Sequence, residues 1–121
     1  FGSFGLAFPA AASISGNPVV QTMITNGMTP STFGIYLNRN PGSNGGQVTF
    51  GGFDSSKIAS GASISYLSVT SAFYWSVVFN SIRIGTTTLT TGSRAIMDSG
   101  VSLIFGPSFA VNIINNIIGA T

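Results

Sequence analysis

Histidine and cysteine are both absent from this chain, and its 121 residues include only four cationic and two acidic side chains. Without cysteine there is no disulfide framework and no thiolate nucleophile, although secreted proteins need not carry disulfides, so the redox compartment stays open. Without histidine, triads built on an imidazole base and the common zinc sites are excluded too. The cations, Arg39, Lys57, Arg83 and Arg94, are scattered along the chain. Four isolated positive charges cannot neutralise a phosphate backbone, so nucleic acid is not an expected partner. The pI of about 9.5 reflects a scarcity of acids rather than a basic patch. No apolar run approaches the roughly 18 residues of a membrane span. No Asn-x-Ser/Thr sequon occurs. The opening FGSFGLAFPAAASISG is apolar but lacks a basic residue, which favours folded chain over a secretory leader.

Polarity comes instead from Ser, Thr, Asn and 16 Gly, a set that suits turns and strand surfaces. Two helices are predicted. In NPVVQTMITNGM, residues 17–28, Asn17 can cap, Pro18 can take the first helical position and Gly27 can terminate. Val20, Met23, Ile24 and Met28 then share an apolar face. In GPSFAVNIINNIIGA, residues 106–120, Pro107 opens the helix and Gly119 stops it, with Phe109, Ile113 or Ile114, and Ile117 at helical spacing. The rest reads as strands. STFGIYLNRN and GQVTFGGF flank the turn-rich PGSNGG, and SISYLSV, YWSVVFNSIRIG, TTTLTT and RAIMDSG follow. The fold class is therefore mainly β. A chain that is 44% apolar and 5% charged has little to keep it soluble alone. It is expected to be a piece of something larger.

The two acids are Asp54 and Asp98. Asp98 sits within RAIMDSGVSLIFGP, where an unpartnered carboxylate would be expensive to bury. Taken alone, an Asp-Ser-Gly tripeptide is more often a turn or cap than a catalyst, and Asp54 after FGGF reads as a structural turn residue. GSNGG lacks a lysine and sits between two strands, so it reads as a turn and not as a phosphate loop.

The surroundings change the reading of Asp98. AIMDSGVSLIFGP resembles an active-site loop of the pepsin-like aspartic proteases. FGSFGLAFP resembles that family's Asp-Gly-Ile-Leu-Gly-Leu-Ala-Phe-Pro segment, which makes residues 1–8 a strand, and GMTPSTFGIYLNRN resembles its stretch ending in Tyr-Leu. VTFGGFDSSKIASGASISYLSV resembles the Phe-Gly-Gly-x-Asp region with its following strand. AFYWSVVFNSIRIG resembles the Tyr-Trp-Gln strand, and GPSFAVNIINNIIGA the helix after the second active-site loop. Order and spacing hold across essentially the whole chain.

The resemblance implies a bilobal fold with a substrate cleft between two β-rich lobes, present here in part. Residues 1–70 correspond to the end of the N-terminal lobe and the interlobe connection. Residues 71–121 correspond to the start of the C-terminal lobe with the second catalytic loop. The first catalytic loop and the flap would lie upstream, and the partner strand of the second loop downstream. In the family two carboxylates share one proton, the case used as a standard example of split titration. The ionised member activates a water that attacks the scissile carbonyl, while the protonated member donates to its oxygen. The resemblance assigns one carboxylate to Asp98, with Ser99, Gly100, Val101 and Ser102 forming the loop. Ser3 and Tyr74 fall in the substrate cleft, and Trp75 matches the neighbouring tryptophan. Three departures stand out: Val101 where the family often has Thr, Ser3 for an aliphatic residue, and Phe1 for Asp. No cofactor and no metal is implied.

The implied function is a share in an aspartic endopeptidase acting on peptide or protein, with the remaining part of the protease chain or a companion chain as partner and the chain alone inactive. The implied location is secreted or an acidic vacuolar or lysosomal compartment. The alternative is a non-catalytic peptide-binding or structural fragment without the first catalytic Asp.

Overall fold

The computed structural model of the protein describes residues 2–40 and 45–120, so the turn-rich residues 41–44 between two predicted strands lie outside it. Strand outweighs helix, as the composition predicts. The chain divides into two compact units, Ala12–Tyr66 and the discontinuous pair Phe1–Ala11 with Leu67–Thr121.

In the unit Ala12–Tyr66, α1 spans Val19–Thr25. Pro18, not Asn17, is the N-cap, and no side chain caps the helix. The Pro18 carbonyl accepts the first helical bond from the Thr22 N–H at 3.0 Å, and the fixed φ of proline already suits that junction. The far end closes as the sequence predicts. Gly27 turns left-handed at φ 67°. Its N–H donates to Ile24 at 3.0 Å and that of Met28 to Met23 at 2.9 Å, the paired bonds of a Schellman cap. Val20, Met23 and Ile24 are half-buried, whereas Met28 is 71% exposed.

Two strands follow, β1 at Phe33–Leu37 and β2 at Gly46–Phe50. They pair antiparallel from Phe33↔Phe50 to Leu37↔Gly46. Backbone packs closely here: a Cβ on Gly34 would lie 2.8 Å from the Phe53 Cβ. Asp54 caps the short 3-10 turn Ser55–Lys57, accepting the Ser56 N–H at 2.9 Å. The Lys57 ammonium lies 5.2 Å from the centroid of the Tyr36 ring.

In the other unit, β3 (Val69–Ala72), β4 (Trp75–Ile84) and β5 (Thr87–Ile96) form one antiparallel sheet in that order. Three sequence expectations are corrected here. SISYLSV yields strand only from Val69, where Val77 offers a ladder partner; Tyr66 and Leu67 before it are 82% and 67% exposed. TTTLTT and RAIMDSG are not separate strands but one, because the long β4 pairs with both. Residues 2–8, read as a strand, join no ladder. Gly85, at φ 56°, turns β4 into β5, the conformation that tight hairpins require. A register break sets Ile82 against Thr90 but Arg83 against Thr88. Leu89 is thus the extra residue of a bulge, and it is one of the two buried apolar side chains among the described residues, with Ala110.

The helix α2 spans Ser108–Ile118, with Pro107 as N-cap and Gly119 left-handed at φ 69°. Its buried side carries Ala110, with Val111 and Ile114 half-covered. Of the expected apolar face, Phe109, Ile113 or Ile114, and Ile117, the alternative Ile114 is the half-covered one, while Phe109, Ile113 and Ile117 are 59%, 39% and 43% exposed. The helix packs on β5 through the neighbouring stripe instead. A helix apolar on both sides is built to be covered on both.

Candidate active site

Asp98 lies two residues beyond β5. The ladder runs on just past its last pair, Ser76↔Ile96, because the Met97 N–H donates to the Trp75 carbonyl at 2.9 Å. The chain then leaves the sheet and turns. Asp98 Oδ1 accepts the Gly100 N–H at 2.8 Å, an Asx turn that engages one carboxylate oxygen. A side chain at Gly100 would place its Cβ 3.1 Å from that oxygen. Glycine is thus what lets amide and carboxylate meet closely. Ser99, Val101 and Ser102 complete an exposed loop, followed by Leu103, Ile104 and Phe105 at 70%, 95% and 79% exposure.

Ser3 and Tyr74 belong to the same unit as Asp98. Tyr74 sits with Phe73 at the tip of the β3–β4 hairpin, between the pair Ala72↔Trp75. It is 46% exposed and meets the Phe73 ring edge-on at 4.7 Å between centroids. Ser3 is exposed, in the stretch before Leu6 that joins no strand ladder. That stretch is held by a contact the sequence reading missed. The indole N–H of Trp75 donates to the Leu6 carbonyl at 2.7 Å, and the Phe8 and Trp75 rings lie 4.4 Å apart. The available signal was a lone tryptophan on a strand, with an aromatic-rich segment elsewhere in the chain to receive it. A second missed feature is a hydroxyl pair across β3 and β4, Thr70 with the buried Ser76.

Asp54, the other carboxylate, lies in the unit Ala12–Tyr66. Hydrogen bonds from Ser56, side chain first and then backbone, hold it below the ordinary carboxylate value, helped by Gln47 and the Lys57 charge. Its role is that of a cap. In the unit Ala12–Tyr66 a shallow depression of about 190 Å³ opens between β1, β2, Phe53 and Lys57. Among the described residues no cluster of three acidic, histidine or cysteine side chains could hold a metal. No helix of those residues is long and apolar enough to cross a membrane. A lone ionised carboxylate can accept one proton, but it cannot act as acid and base at once.

Comparison with known proteins adds the wider context. The sequence model of the family described as eukaryotic aspartyl protease matches residues 1–121. Curated relatives include cathepsin E of Cavia porcellus, 32% identical over 99% of this chain and 31% of its own length. Cathepsin E-A of Xenopus laevis is 36% identical over 99% of the chain and 31% of its length. Cathepsin D of Dictyostelium discoideum is 37% identical over 98% of the chain and 32% of its length. The chain therefore spans about a third of the length of these relatives.

Proposed function

The chain belongs to the eukaryotic aspartyl protease family, and from that premise we propose that it supplies one of two catalytic carboxylates, Asp98, to an aspartic endopeptidase. The observation that carries the reading is the sequence in which Asp98 stands, RAIMDSGVSLIFGP, within a family match that runs along the chain. One oxygen is held by the Gly100 amide at the end of a paired strand, in the motif that resembles the family's catalytic loop. The other oxygen would share a proton with a second carboxylate contributed by other polypeptide. The pair would divide the work: the ionised member takes a proton from water as it attacks the scissile carbonyl, and the protonated member gives one to the carbonyl oxygen. Ser99 and Ser102 brace the loop, and Val101 flanks the carboxylate. Ser3 and Tyr74 line the cleft beside a peptide or protein substrate, with residues 1–70 in one lobe and its connection and 71–121 in the other. The working environment is acidic, a secreted or vacuolar and lysosomal setting.

In the complete polypeptide, Asp98→Asn tests this. Asparagine keeps the shape but cannot take part in the shared proton, so turnover of an unfolded protein substrate at acid pH should fall by at least about 10³-fold. The melting temperature should stay within a few degrees. Turnover within a few-fold of the parent would remove Asp98 from the chemistry.

A further inference from the structure

Trp75 is the chain's only tryptophan, and it grips two stretches of backbone at once. Its indole N–H reaches the Leu6 carbonyl at 2.7 Å across 69 residues of sequence, and its ring packs on Phe8 at 4.4 Å. Its own carbonyl accepts the N–H of Met97 at 2.9 Å, immediately before Asp98. Residues 2–8 join no ladder, so no strand register fixes their course. Ser3 lies three residues before the anchored carbonyl, and Tyr74 is the residue next to the anchor. One residue, through its side chain on one side and its backbone carbonyl on the other, thus links the Ser3 segment to the strand end that carries Asp98.

We infer that Trp75 is a positioning residue for peptide hydrolysis: its indole N–H fixes the Ser3 segment against β4 and the Asp98 loop, and so sets how tightly substrate fits. The inference rests on the protease function proposed above for its kinetic part alone. An indole N–H only donates, and deleting it leaves a half-buried carbonyl without that partner, a loss of the size that loosens a local segment and not a whole domain. A pocket wall that wanders weakens binding of substrate and transition state alike, so KM rises while kcat holds.

The test is Trp75→Phe in the complete polypeptide, which keeps an aromatic ring on Phe8 and removes the donor. Amides of Gly5–Phe8 should exchange about tenfold faster, while the β4–β5 ladder and the Met97 amide keep their protection. KM for a peptide substrate should rise by about three- to tenfold with kcat within about twofold. Unchanged exchange at Gly5–Phe8 would overturn the anchor. Loss of protection throughout β4 and β5, or a fall in kcat at constant KM, would overturn the positioning role. Should Trp75→Phe fail to fold, Phe8→Leu leaves β4 untouched and is held to the same two readouts in the same direction. Absence of turnover in the unsubstituted polypeptide would overturn the protease function, and the exchange rates tell that apart from failure of the anchor.

Discussion

Asp54 and Asp98 make the same local contact. Each accepts, through Oδ1, the N–H two residues on, at 2.9 Å from Ser56 and 2.8 Å from Gly100. Local geometry therefore does not separate cap from catalyst; the flanking sequence does, which is why the candidate site was legible before the fold was known. For Asp54 the Ser56 bonds lower the folded value. Its stabilising effect is then fully present above the unfolded value of about 3.9 and is lost as pH falls through the lower folded one. The protection of the Ser56 amide, corrected for intrinsic exchange, should stay flat above about pH 4 and decline below it. Asp54→Asn, which keeps an acceptor without the charge, should abolish that decline. At Val101 the expectation concerns catalysis. If Asp98 is a catalytic carboxylate, a hydroxyl beside it favours its charged form, so Val101→Thr should move the acid limb of the complete polypeptide's rate profile to lower pH. The limb belongs to the coupled pair and not to one residue. A limb that stays put or moves upward would show that position 101 does not face the carboxylate.

Single elements differ in how far sequence reaches them. The Gly27 stop was readable because left-handed backbone and glycine go together, and the cap formed as expected. Nothing lies within 4 Å of a Cβ built on Gly27, so the cost of Gly27→Ala is conformational alone, about 1–2 kcal/mol. Amides at the end of α1 should lose protection by that amount, and Gly27→Asn should lose less. An effect on α1 no larger than that of a neutral surface substitution would mean the left-handed turn is not needed. The pair β1 and β2 was legible from alternation and the turn formers between them. The single strand Thr87–Ile96 was not, since its Gly92 and run of threonines look like an interruption until the long β4 stands beside them. Residues 2–8 mislead for the opposite reason. Their apolar pattern suits a strand, but no partner strand is paired with them among the described residues, and Trp75 holds them by a side chain. On α2 the spacing identified a helix yet offered two apolar stripes, and sequence alone could not tell which one β5 would take.

Across the whole molecule the notable quantity is uncovered apolar surface. The accessible area is 9592 Å² for a chain of 12.4 kDa. A folded monomer of that mass exposes about 6,100 Å², and two separate domains of half the mass about 7,400 Å² together. The excess therefore does not depend on how the two units meet. Among the described residues only Leu89 and Ala110 are buried apolar side chains. Ile96, Met97, Leu103, Ile104 and Phe105, each more than half exposed, crowd around the Asp98 loop in sequence. Such a surface marks an interaction face or an aggregation hazard, and with 5% charged residues there is little repulsion against the latter. By sedimentation the 121-residue chain alone should self-associate at micromolar concentration, and a stable monomer with a protected Asp98 loop would speak against a covering polypeptide.

Both the division of labour between two carboxylates and the need for other polypeptide come down to one comparison. Acid-pH cleavage of an unfolded protein is measured for the 121-residue chain alone and for the longer polypeptide that carries it with a second Asp-Thr/Ser-Gly loop, each with and without Asp98→Asn. If Asp98 is one of two catalytic carboxylates, only the longer polypeptide cleaves, and Asp98→Asn silences it. Cleavage by the chain alone that Asp98→Asn abolishes, or cleavage by the longer polypeptide that survives the substitution, would contradict that assignment.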